Sequence, residues 1–247
     1  LHVALGGRSV LRGVEFELRA GELAGLVGPN GSGKSTLIRT LAGIETVGAG
    51  SIEIDAHALD RDPLAARAAL GHAVEPEKLP PLLTGRQCLD LIAELRGVRA
   101  ALPVSEDLAQ RLGFAPWFDA AVHTYSLGTR QKLAVLLALV GQPRLIVLDE
   151  VLNGLDPLAA FALKQELRTR SDAGAAVLLA THGLEVAERF LDRALLLLDG
   201  RIAADWDAAA LADFRADPEG GLEHAVVERL RAATPAAAVA AIRQRPG

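Results

Sequence analysis

Gly28-Pro-Asn-Gly-Ser-Gly-Lys-Ser-Thr36 constrains this chain more than any other stretch. It fits G-x-x-x-x-G-K-[ST], the pattern of a loop that wraps phosphate. Its flanks fit as well. Leu23-Ala-Gly-Leu-Val27 is a short apolar run, as a buried parallel strand would be. Beyond the loop, Leu37, Ile38 and Leu41 fall on one helical face. Strand, glycine loop and helix in that order aim successive backbone N–H groups, and the positive end of a helix, at one anion. Gly28, Gly31 and Gly33 permit the tight backbone, with Pro29, Asn30 and Ser32 between and before them. Lys34 is placed to reach β- and γ-phosphates, Ser35 to hold Mg²⁺, and Thr36 completes the motif.

Half of the 247 residues are apolar and only 4% are aromatic, so the core is one of Leu, Ala, Val and Ile. That length suits one large domain, or a domain with a subdomain. The net charge is −5 with both signs interspersed and no basic stripe, which argues against nucleic acid as the main partner. The lone Cys88 forms no internal disulfide and fits a reducing compartment. The longest apolar run, Leu133 to Val140, is too short to span a membrane. No signal peptide opens the chain. It begins at Leu1 and contains no Met, which reads as a missing start with part of a first strand.

Leu1–Leu5 and the alternating Val14–Leu18 are predicted strands, as is Ser51–Ile54; together they imply an antiparallel sheet beside a parallel core. A helix over Pro63–Ala69 and a strand over Leu70–Val74 follow. Thr84 is a predicted N-cap, Ser105 starts a helix running to Leu112, and 76–140 reads as a helical insert. Leu127–Val140 is apolar nearly all round, hence buried. Leu145–Asp149 and Ala175–Thr181 are buried strands; Pro157–Thr169 and Leu184–Phe190 are helices. Asp199-Gly200 turns a hairpin. Two short helices follow Trp206, and the composition from about Pro235 reads as an unstructured tail.

Leu145-Ile-Val-Leu-Asp149-Glu150 ends an apolar strand in two acids. Asp149 would meet Mg²⁺ through water beside the phosphate loop, and Glu150 would polarise an attacking water. Tyr125-Ser-Leu-Gly-Thr-Arg-Gln-Lys-Leu133 places Ser126 as the N-cap of a buried helix whose dipole can face an anion.

With these motifs the sequence resembles the ATP-binding cassette ATPases, the nucleotide-binding subunits of ABC transporters, from Leu1 to about Asp205. Tyr125–Leu133 looks like the family's signature LSGGQ-x-x-L: Ser126 and Gly128 agree, while Leu127 and Thr129 replace Gly and Gln. This SLG-x-RQ form is similar to a variant of bacterial exporters. The resemblance makes Asn153-Gly-Leu-Asp156 the D-loop and His182 the switch histidine, a γ-phosphate contact. It implies ATP and Mg²⁺ as cofactors and ATP hydrolysis as the reaction. It further implies head-to-tail pairing with a second copy or a related subunit, each Ser126 and Gly128 completing the other's site. A separate multi-span membrane subunit, docked around 76–100, would carry the substrate, with this chain peripheral on the cytoplasmic face.

Two positions depart from the family. Glu75 stands where Gln is usual, joining the core to the insert and approaching Mg²⁺ as a carboxylate. Leu5 stands where an aromatic residue stacks on adenine; with Leu5 there, weak discrimination between ATP and GTP is expected unless another residue such as Val10 or Val14 covers the base. The predicted fold is α/β: a phosphate-loop core with a mostly parallel sheet, an antiparallel side sheet and an inserted helical subdomain. Its predicted segments are 1–75 and 141–205 for the core, 76–140 for the insert, and 206–247 for C-terminal helices and tail. A soluble ABC-type ATPase acting on ribosomes or DNA is the alternative; it lacks support from a second cassette, a coiled-coil insert or a basic patch.

Overall fold

The computed structural model describes residues 1–217 and 220–233. β1 (His2–Leu5) and β2 (Arg8–Arg12) form an antiparallel ribbon turned at Gly6-Gly7, both at positive φ. β3 (Leu23–Val27), buried at every position, feeds the glycine loop and α1 (Lys34–Leu41). β4 (Glu53–Ile54) and β5 (His57–Ala58) make a second ribbon, and a bridge from His2 to Ala49 links the first ribbon to the segment leading into it. α2 (Pro63–Ala68), capped by Asp62, precedes β6 (Leu70–His72).

From Pro76 to Ala138 the chain forms no ladder strand: α3 (Gly85–Leu95), α4 (Leu102–Arg111) and α5 (Leu127–Ala138) are joined by short 3-10 turns. Thr84 and Gln87 close a full capping box on α3. α4 begins before the expected Ser105. Pro103 is tolerated in its first turn, and the Ser105 hydroxyl donates back to the Ala101 carbonyl at 3.3 Å. β7 (Leu145–Asp149), α6 (Pro157–Asp172), β8 (Ala176–Ala180) and α7 (Leu184–Phe190) follow. Then come β9 (Arg193–Leu198), β10 (Arg201–Trp206), α8 (Ala208–Ala216) and α9 (Gly221–Ala233). The tail expected from about Pro235 lies outside the described residues.

The central sheet has the order β10-β9-β3-β8-β7-β6, parallel throughout except for β10 against β9. Successive side chains of each strand go to opposite faces. Val147, Leu178 and Leu26 meet α1 and the ribbons on one face. Ile146, Leu148 and Leu179 meet α5, α6 and the helical segment on the other. From Leu133 onward α5 is buried all round, because it lies between the sheet and α3 and α4; its first turns are not, and Leu127, expected to be buried, is exposed beside Arg130, Gln131 and Lys132.

One expected strand is absent. Val14–Leu18 keeps its alternating burial but forms no ladder, and Arg8–Arg12 pairs with β1 instead. Val14–Leu18 and Ser51–Asp55 both line a cavity of about 900 Å³. Alternation reports which face is buried; it does not supply a neighbouring strand.

Phe114 is fully buried, edge-on to Phe118 at 5.2 Å and Tyr125 at 5.8 Å between ring centres. Phe114→Ala is expected to destabilise the fold by about 3–5 kcal/mol, because it removes a large core ring and leaves a cavity. Urea denaturation checks this, and a loss below about 1 kcal/mol would mean the site collapses around the alanine.

Candidate functional site

β3, β7 and β8 end at one edge of the sheet: Leu26 pairs with Ala180, and Ala180 with Asp149. The residues just beyond, Gly28, Glu150 and His182, therefore emerge together, where parallel sheets hold ligands. Thr181 N–H donates to the Leu26 carbonyl and Glu150 N–H to the Ala180 carbonyl, which extends this alignment past the strands.

Gly28 and Gly33 are required by contact as well as conformation, Gly31 by its positive φ alone. Gly28 has φ 152°, and a Cβ there would sit 2.3 Å from the Leu197 carbonyl oxygen. Gly33 has φ 109°, with Leu11 3.0 Å from its missing Cβ. Lys34 is buried, and its Nζ donates to the carbonyls of Gly28 (2.7 Å) and Pro29 (3.2 Å). The cation is thus folded over the loop it would neutralise a ligand in, with no carboxylate bonded to it among the described residues.

Asp149 is half-buried, and its Oδ1 is inaccessible to water without a hydrogen-bond donor. Burial raises its carboxyl above the ordinary range; the Ser35 hydroxyl opposes this, the Glu150 charge adds to it, and Lys34 opposes it again. An orphaned carboxylate oxygen beside a serine hydroxyl is a hard-oxygen donor pair suited to Mg²⁺. Among the described residues no cluster of three His, Cys, Asp or Glu could hold a metal alone, so such an ion would share its ligands with phosphate and water.

Glu150 occupies the left-handed region at φ 51°, unusual for a non-glycine residue and frequent at functional sites. Its Oε2 accepts from Asn153 Nδ2 at 2.8 Å and faces His182 Nδ1 at 3.0 Å. Glu75 forms its hydrogen bonds outside this group, though its charge also reaches Asp149 and raises the Asp149 carboxyl. The Glu75 carboxylate is bonded to Lys78 (2.9 Å) and Arg39 (2.8 Å), which hold it below the ordinary range.

A cavity of about 450 Å³ runs from Asn30, Gly31 and Gly33–Thr36 past Glu150 to β2 and the Asp199-Gly200 turn. Ser126 and Gly128 are not among its lining residues, nor is Leu5. Ser126 caps α5: its Oγ accepts from Thr129 N–H at 3.2 Å and pairs with the Thr129 hydroxyl at 2.9 Å. A Cβ on Gly128 would lie 3.0 Å from the Gly154 carbonyl, so a glycine lets the start of α5 meet the Asn153–Asp156 loop. Lys132 fastens that contact, donating to Asp156 Oδ2 at 2.7 Å. Sequence reasoning does not single out Lys132, although it lies within the quoted Tyr125–Leu133 stretch.

Residues 11–153, which carry the loop, the Ser126 cap and the two strand-end acids, match the family model of the ABC transporters. The chain belongs to the ABC transporter family. It is 35% identical over 202 residues to the uncharacterized ABC transporter ATP-binding protein YdbJ of Bacillus subtilis (strain 168), a match covering 81% of this chain and 65% of that one. It is 34% identical over 211 residues to the Nod factor export ATP-binding protein I of Paraburkholderia xenovorans (strain LB400), covering 83% of this chain and 68% of the relative. The cassette thus spans about two thirds of these bacterial relatives, just under that for YdbJ, and 8% of the longer mammalian ones it matches. Among solved structures, an ATP-binding subunit of an ABC transporter superposes with TM-score 0.85 at 30% identity, covering 93% of this chain and 97% of that one. A dimeric bacterial ABC transporter cassette superposes with TM-score 0.73 at 25% identity, covering 84% and 95%.

Proposed function

We propose that this cassette hydrolyses ATP as the nucleotide-binding subunit of an ABC transporter, pairs head to tail with a second copy or a related subunit, and drives a separate multi-span membrane subunit in export. The observation that carries this reading is the meeting of Lys34, Asp149, Glu150 and His182 at one sheet edge around the phosphate loop. Lys34 exchanges the Gly28 and Pro29 carbonyls for β- and γ-phosphate oxygens, while the backbone N–H groups of the loop beyond Pro29 cradle the same groups. Ser35 and Asp149 would hold Mg²⁺, which when bound neutralises charge on the phosphate oxygens. Glu150, steadied by Asn153, orients the attacking water and accepts its proton. His182 leaves Glu150 to contact the γ-phosphate. Glu75, whose charge reaches Asp149, would approach the metal's surroundings from its bonds to Arg39 and Lys78.

One chain leaves its own phosphate cavity without Ser126 and Gly128. A facing copy turned head to tail brings the capped N-terminus of its α5, with N–H groups and helix dipole, to the exposed phosphate. The name of the dimeric structural neighbour supports pairing, and that of the Nod factor export relative supports export. No helix among the described residues is long and apolar enough to cross a membrane, so in this reading the transport path belongs to another subunit. Leu82, Leu91 and Leu95, exposed apolar residues within 76–100, are its docking contacts on the cytoplasmic face.

A mixed dimer tests the arrangement. Ser126→Arg in one protomer is expected to silence the site whose phosphate loop belongs to the other protomer, because arginine cannot be seated at the closed cap. Loss confined to the same protomer's own phosphate loop would contradict head-to-tail pairing.

A further inference from the structure

The nucleotide cavity has two ends of unlike chemistry. One is the phosphate loop; the other is walled by β2 and the Asp199-Gly200 turn. Backbone bonds fix the distance between them. Gly200 N–H donates to the Ser32 carbonyl at 3.0 Å, and Arg12 N–H donates to the Gly200 carbonyl at 2.8 Å. Gly200 has φ 74°, and a Cβ there would lie 1.9 Å from the Val10 carbonyl oxygen, so glycine alone lets β2 approach. The β1–β2 register passes from Val3↔Leu11 to Ala4↔Ser9, which makes Val10 the extra residue of a bulge. Bulges re-aim side chains beside sites. Here Leu11 goes to the core while Arg8, Val10 and Arg12 line the cavity.

None of the cavity's lining residues is aromatic. No ion pair among the described residues engages Arg8 or Arg12; Arg12 Nη2 donates to the Ser9 carbonyl at 3.4 Å. Both arginines are exposed at the mouth, with Asp199 the nearby acid of the lining and Glu150 at the phosphate end. Two guanidinium groups that enter no ion pair among the described residues, beside an apolar valine, are therefore carried on a strand held at a fixed reach from the phosphate loop.

We propose that Arg8 and Arg12 clamp the base of a purine nucleoside triphosphate, a guanidinium plane against the base face and Val10 as apolar contact. A guanidinium is planar and weakly hydrated, and it stacks on aromatic faces. Stacking addresses the π-face, which adenine and guanine share, and not the edges that distinguish them. The site therefore takes ATP and GTP alike. The inference rests on the phosphate loop binding the triphosphate.

Calorimetric dissociation constants for ATP, GTP and inorganic tripolyphosphate separate the two ideas. In the wild type, ATP and GTP are expected to bind within about threefold of each other, as face stacking tolerates either base. The double variant Arg8→Lys/Arg12→Lys keeps the charge and loses the plane. It is expected to weaken both nucleotides about tenfold while tripolyphosphate stays within about twofold. Unchanged nucleotide affinity in that variant, an equal loss for tripolyphosphate, or a strong wild-type preference for ATP overturns the clamp. Lys34→Ala binding all three as the wild type does would overturn the phosphate-loop reading instead.

Discussion

Lys34→Ala is expected to abolish measurable nucleotide binding and, with it, turnover. In the structure Lys34 is buried and its ammonium is held by two backbone carbonyls of the loop, at 2.7 and 3.2 Å. Those are neutral partners, which an anionic phosphate outcompetes. Hydrogen bonds to charged groups contribute about 1.5–3 kcal/mol each, so losing two of them lowers affinity roughly a hundredfold or more. The loop amides remain, but they carry partial charges only. The fold should survive, because the alanine takes over the first position of α1, a good site for it, while Gly28 and Gly33 still shape the loop. Titration with ATP, run beside a thermal melt of the nucleotide-free protein, checks both halves. An intact fold with wild-type affinity would remove Lys34 from the site.

The phosphate loop was legible because its chemistry is local. Nine consecutive residues set both the backbone path and the side chains, and flanking apolar runs told strand from helix. The continuous runs Leu145–Asp149 and Ala176–Ala180 were legible as central strands for the same reason: both faces are covered, so no alternation is needed. Thr84 announces its helix through capping chemistry contained within four residues, and Pro63 announces the start of its own.

What escaped is non-local. Val14–Leu18 has a strand's pattern and no ladder partner, while Arg8–Arg12 has charged ends and a bulge, and pairs. Glu75 pairs with Arg39, distant in sequence, a partner that its place between core and insert does not announce. Gly200 reads as half of a hairpin turn; only the fold shows it bonded to both Ser32 and Arg12. Each miss turns on a neighbour that no spacing along the chain reveals.

Glu150→Gln is expected to leave ATP binding intact, stop hydrolysis and accumulate an ATP-bound dimer. The amide is nearly isosteric and its oxygen can still accept from Asn153, so the contact at 2.8 Å persists. Residue 150 keeps the same left-handed backbone, and glutamine bears that strain much as glutamate does. What disappears is basicity: an amide cannot take the proton of an attacking water, and general-base contributions of about 10²–10⁴ in rate are typical. His182 also loses its charged partner at 3.0 Å and is freed toward the phosphate. Binding and pairing therefore proceed while the step that would release the two copies does not, and the dimer builds up. The readouts are ATP affinity, which should stay within about threefold as expected for a group acting in the transition state alone, and elution as a dimer with ATP but not ADP. Normal hydrolysis by the variant in the presence of its membrane partner would show that another group serves as the base.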